Sequence, residues 1–128
     1  MPIRSTLLIA VAFLISACNT NVLVTSEEIL VSPDEELALV ILNVDPGTRG
    51  RENWIHISIQ PRIERGSNKL YQIRENILKV RGRGDVNGSW TSERKLQIGL
   101  DASLLTSGVP KPKTVEGVLV QFHRISSP

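Results

Sequence analysis

Trp54-Ile55-His56-Ile57-Ser58-Ile59-Gln60 is the stretch that decides the fold. Isoleucine occupies every second position, and Trp54, His56, Ser58 and Gln60 fill the alternate ones. A period of two with β-branched residues on one side is the pattern of a half-buried β-strand. Just upstream lies Leu37-Ala38-Leu39-Val40-Ile41-Leu42-Asn43-Val44. This run is short for a helix and contains several β-branched residues. It predicts a central strand buried on both faces, halted by Asp45-Pro46-Gly47.

The pattern continues outward on both sides. Glu28–Ser32 reads as a short strand, followed by the turn Ser32-Pro33-Asp34-Glu35. Gly66-Ser67-Asn68 marks a further turn. Leu70–Val80 alternates through Tyr71 and Ile73, then changes phase before Leu78 and Val80, so a break is expected near Glu75-Asn76. Residues 82–88 form a Gly-rich loop ending in Asn87-Gly88, a strong hairpin dipeptide. Lys95–Leu100 alternates again through Leu96, Ile98 and Leu100. Asp101 is placed to cap one helical turn, with Gly108 as its stop. Val109-Pro110-Lys111-Pro112-Lys113 is extended and unsuited to a central strand. Thr114–Ile125 closes the chain as one long strand, with Val118, Val120 and Phe122 on a shared face. About seven strands and no long helix point to an all-β fold. The expected form is a small antiparallel β-sandwich, with a small β-barrel as the alternative.

Composition supports a core of branched aliphatics. Outside the first seventeen residues the only aromatics are Trp54, Tyr71, Trp90 and Phe122. The single cysteine, Cys18, rules out an intrachain disulfide and any cysteine-based zinc site. Charge is unevenly spread. Cys18 to Pro46 holds six acids and no Lys or Arg, whereas Gly47 to Pro128 holds fourteen Lys plus Arg against seven acids. The densest basic window contains Arg62, Arg65, Lys69, Arg74, Lys79, Arg81 and Arg83. Such a window attracts an anionic glycan, a lipid headgroup or an acidic protein face. The same charges also serve simply to solvate strands, or to meet the acidic part of the same domain. No nucleic-acid partner is expected.

The beginning of the chain carries a different signal. Arg4 precedes an apolar stretch from Leu7 to Ile15, about half of the ~20 residues a membrane-spanning helix needs. It ends in Ile15-Ser16-Ala17-Cys18: an aliphatic residue, two small residues and a cysteine. This run resembles the lipobox of bacterial lipoprotein signal peptides. The resemblance implies cleavage before Cys18 and lipid attached at Cys18, which would anchor the chain to a membrane. By the same resemblance, Asn19 in place of Asp favours the outer over the inner membrane. The expected organisation is a leader over 1–17, a lipidated Cys18 with a short tether over 18–26, and one β-domain over 27–128.

Catalytic signatures are absent from the sequence. There is no G-x-S-x-G elbow, H-E-x-x-H motif or P-loop. His56 and His123 are the only histidines and have no companion motif, so neither a metal nor a cofactor is expected. Arg83-Gly84-Asp85 spells the integrin-binding tripeptide, or is simply a solvated connection. Trp54 is the leading interaction residue if its face is open to solvent, and core if that face is covered. Residues 117–122 suggest an edge strand able to accept a partner strand. The first functional expectation is a non-enzymatic envelope lipoprotein that binds another envelope protein. Small β-sandwich lipoproteins of secretion systems offer a likeness at the level of fold alone. The second expectation is a binder of an anionic ligand through the basic window. The third is a hydrolase whose residues meet only in three dimensions.

Overall fold

The computed structural model describes residues 6–9, 13–17, 20–45 and 53–125. Ten strands are present among them: β1 (Thr6–Ile9), β2 (Phe13–Ala17), β3 (Thr20–Val31), β4 (Leu37–Asp45), β5 (Trp54–Pro61), β6 (Leu78–Arg81), β7 (Val86–Ser92), β8 (Lys95–Leu100), β9 (Lys113–Val115) and β10 (Val118–Arg124). They make two sheets. The first has the order β1-β3-β4-β5-β6, with β2 also paired to β3; the second has the order β7-β8-β10-β9. The fold is an all-β sandwich with open edges, not a closed barrel. Every pair is antiparallel except one: β8 and β10 run parallel, with Val120 opposite Leu96 and Phe122 opposite Ile98.

The isoleucine alternation of β5 builds the space between the sheets. Ile55, Ile57 and Ile59 are buried there with Leu39 and Ile41 of β4, and the second sheet returns Leu96, Ile98, Leu100, Val118 and Val120. Burying one such side chain fully contributes about 1.5–3 kcal/mol. Trp90 ties the sheets together on one flank, its indole N–H donating to the Leu30 carbonyl at 2.9 Å.

β4 is buried on both faces, as its near-continuous apolar run requires. Its alternate residues Ala38, Val40, Leu42 and Val44 form a second cluster with Val24, on the outer face of the first sheet. Tyr71 and Ile73 pack over that cluster. The segment between β5 and β6 is therefore a strap lying across the sheet rather than a continuous strand.

Two side-chain amides explain how the strap is held. Asn76 accepts from the Ile59 N–H at 2.8 Å and donates to the Ile59 carbonyl at 2.9 Å, replacing a missing neighbour strand where β6 has ended. Gln60 does the reciprocal job, bonding both the N–H and the carbonyl of Gln72 at 3.0 and 2.7 Å. The Tyr71 hydroxyl accepts from the Ile63 N–H at 2.8 Å. The strap also corrects the reading of β5 as half-buried. His56, Ser58 and Gln60, on its polar face, are buried too.

Four other expectations are revised. Asn87-Gly88 is not a hairpin turn; it lies inside β7, opposite Gly99 and Ile98. The reason is packing: a Cβ on Gly88 would collide with Cδ2 of Leu39. The hairpin instead turns after Ser92, which pairs with Lys95. The long C-terminal strand is broken into β9 and β10 by Glu116 and Gly117, both with positive φ (52° and 77°). Two consecutive left-handed residues are what a two-residue hairpin needs. The expected edge at 117–122 is consequently covered over Val118, Leu119 and Val120, where β10 has β8 on one side and β9 on the other; the pairing with β9 stops at Val120. Finally, the stretch expected as a tether enters the sheet early, because β3 starts at Thr20. The cap at Asp101 forms as expected, accepting from the Ser103 N–H at 3.0 Å at the start of a single 3-10 turn.

Candidate functional site

The outer face of the β5–β6 pair carries the densest cationic grouping. Trp54 lies opposite Arg81 and His56 opposite Lys79, so the four side chains form a two-by-two patch. The Lys79 ammonium sits 4.6 Å from the centre of the Trp54 ring, and the Arg81 guanidinium 5.6 Å from it. Both distances lie within the range of cation–π attraction. Trp54 is half-buried, and both cations lie over its ring. Behind them, His56 Nδ1 lies 3.0 Å from a carboxylate oxygen of Glu75 on the strap. Burial pushes the His56 imidazole below its ordinary pKa, while the Glu75 hydrogen bond and charge pull the other way and Lys79 adds to the depression.

The rest of the basic window does not join this patch. Arg62 stands at the opposite end of β5 and is spent on the first turn: its Nε donates to the Glu35 carbonyl at 2.7 Å, with Glu64 3.8 Å away. Arg65 and Lys69 are exposed on the strap's first loop. Arg74 folds back on the Gln72 side chain at 3.0 Å. Arg83 lies beyond β6, in the connection to β7. Attraction to the acidic part of the same domain accounts for some of this charge. Arg94, outside the window, bridges Asp34 and Glu36 at 2.8 Å each. The Ser32 hydroxyl, the Glu36 N–H and Arg94 together hold the Asp34 carboxyl below the usual carboxylate range.

A second grouping escaped the sequence reading. The inner face of β4 turns polar at its end, passing from Leu39 and Ile41 to Asn43 and Asp45. There the inter-sheet space opens into a cleft of about 560 Å³ lined by Thr25, Ser26, Asn43, Asp45, Asn53 and the Arg83-Gly84-Asp85 connection. Asn43 donates to the Ser26 hydroxyl at 2.7 Å and accepts from the Asn53 amide at 3.2 Å. The available signal was Asn43 itself, the one polar residue within an apolar run. The Arg83-Gly84-Asp85 tripeptide is pressed onto the 3-10 turn. A Cβ on Gly84 would stand 2.8 Å from Ser103 Oγ and 3.0 Å from Leu104 Cγ.

His56 and His123 do not meet. His56 is under the strap on the first sheet, whereas His123 is exposed on β10 and faces Gln97 at 3.3 Å. Among the described residues no three of His, Cys, Asp and Glu gather as metal ligands would. Cys18 lies outside the described residues. The residues before it pair with the first sheet: β1 and β2 lie antiparallel to β3, from Thr6 opposite Leu30 to Ala17 opposite Thr20.

These features define a two-sheet β-sandwich with a cationic patch on one face and a polar cleft at one end. The chain matches no family of known proteins, no curated protein and no solved structure.

Proposed function

We propose that this chain is an envelope lipoprotein, held to the membrane by lipid on Cys18, whose non-enzymatic β-sandwich binds another envelope protein in an assembly or accessory role. The observation that carries the reading is the placement of the leader. β3 is twelve residues long, and β1 and β2 lie against it on the side away from β4. Both belong to the segment that lipobox processing would remove. Maturation would then leave a long strand edge beside the anchor, and an unpaired edge is a template for a partner strand. Asn19 supports placement in the outer membrane.

The test has two parts. Metabolic labelling with a radioactive fatty acid should mark the native chain and not Cys18→Ala. Crosslinked pull-down from intact cells should recover one envelope protein with the lipidated form only. Label on both forms, or on neither, would refute the anchor.

The Lys79–Trp54–Arg81 patch favours a second reading, a binder of anionic headgroups or glycans. Binding to anionic vesicles that collapses as salt is raised, and is lost in a Lys79→Ala/Arg81→Ala double variant, would support it. Salt-independent binding would oppose it.

A further inference from the structure

The edge of β3 carries a mismatch that indicates what should lie against it. Glu27 and Glu28 sit near its middle, one on each face of the sheet, since successive side chains alternate. Glu28 pairs across to Ile41 on the core side, and Glu27 to Leu42 on the outer side. On the other edge they face Leu8 and Ile9 of the leader. Burial raises the pKa of both carboxyls, with no opposing cause. Among the described residues, neither carboxylate has a hydrogen bond or an ion pair. Thr25 and Ser26 precede them directly, and aliphatic residues lie beyond: Leu23 and Val24 before, Ile29, Leu30 and Val31 after.

Two half-buried acids registered opposite Leu8 and Ile9 have no charged partner across the strands. Directly opposed charge pairs across strands are favourable, and like charges are not. A second copy paired through β3 cannot supply the missing cations, because β3 contains no Lys or Arg.

We infer that the β3 edge is the docking surface for an extended segment of a partner protein, added antiparallel over residues 23–30, with two adjacent basic residues opposite Glu27 and Glu28 and aliphatic residues opposite Leu23, Val24, Ile29 and Leu30. This rests on the reading of the chain as a processed lipoprotein. The leader occupies the place in the precursor, and its removal vacates it.

The experiment uses the chain purified from membranes, with its intact mass measured first. The probe is a soluble Val/Thr peptide with two central lysines, compared with the same peptide carrying two glutamates. Binding is followed by anisotropy, and its location by amide exchange. The lysine peptide should bind about tenfold more tightly than the glutamate peptide, given two charge pairs reversed in sign. It should slow exchange over residues 23–30, and both effects should shrink in Glu27→Gln/Glu28→Gln, with unchanged exchange in β8 and β10 showing that the fold is intact. Equal binding of the two peptides, or protection elsewhere than β3, would overturn the inference while leaving the lipoprotein reading in place. A dimer of the processed chain with β3 already protected would overturn it in favour of self-pairing. A mass that still includes residues 1–17 would overturn the lipoprotein reading, and this inference with it.

Discussion

Replacing Gly88 by alanine should destabilise the domain, and Leu39 should be the cause. Gly88 is inside β7, and the added methyl would overlap Cδ2 of Leu39 and lie 3.4 Å from Cδ1 of Leu30. Leu39 is fully buried at the centre of the core, so it cannot yield without displacing its neighbours. Overpacking of this kind costs about 1–3 kcal/mol. Alanine also loses less chain entropy on folding than glycine, an opposing gain of about 0.4–1 kcal/mol. The net loss should be about 0–2.6 kcal/mol. Leu39→Ala alone should cost about 2–5 kcal/mol, because it opens a cavity. In the double variant the alanine methyl enters space that the leucine has left. The two effects should therefore fall short of additivity by about 1–3 kcal/mol. Urea unfolding followed by tryptophan fluorescence would measure all four proteins, with an unchanged m value as the condition for comparison. Additivity to within about 0.5 kcal/mol would refute the packing argument. It would also revive Asn87-Gly88 as a turn, in which a left-handed glycine resists substitution whatever stands at position 39.

The strap should depend on its amide surrogates. Asn76→Ala strands the Ile59 N–H and carbonyl, so it should cost about 1–3 kcal/mol and speed exchange of the Ile59 amide; a protected Ile59 amide would show that β5 finds another partner. Trp90→Phe removes the N–H bonded to Leu30 and should lower stability by about 0.5–1.5 kcal/mol in urea titration, with no change expected only if that carbonyl is wet. His56 has its folded pKa depressed below the ordinary 6.5, chiefly by burial. Its neutral form is favoured in the native state, so its contribution is complete above about 6.5 and is lost as pH falls from there through the folded value. The urea midpoint should decline over that window, and more shallowly in His56→Gln; equal slopes would remove His56 as the source.

Much of the fold was legible because strands that face one core announce themselves by period. The alternations at 54–60 and 95–100 and the apolar run at 37–44 all became strands with the expected core faces. The polar half of β5 was harder. Nothing within Trp54-Ile55-His56-Ile57-Ser58-Ile59-Gln60 says that a strap will cover it, because the groups that meet its polar side chains, Gln72 and Glu75, carry no periodic signal linking them to β5. Asn87-Gly88 misled for a similar reason. Its local preference for a turn lost to a tertiary demand for space next to Leu39. The parallel placement of β10 beside β8 was also invisible, since periodicity fixes the face of a strand and not its neighbour. For the candidate site, the basic window of the sequence was a grouping along the chain only. Lys79 and Arg81 reach Trp54 because β6 pairs with the start of β5, while Arg62 is carried to the other end.

The position of β10 has a consequence for the order of assembly. Val118 and Val120 are fully buried, and the strand that bears them lies between β8 and β9. A chain emerging from its N-terminus makes the whole first sheet and the β7–β8 hairpin before this strand arrives. Until then the Leu96–Ile98–Leu100 face has no neighbour on its far side, and Ile57 and Ile59 have only part of their cover. Strand β10 thus acts as a latch, and the entropy of closing a long loop must be met before that contact forms. A chain cut short before Val118 would leave a half-built interior, available to chaperones and proteases, instead of a slightly smaller version of the same domain.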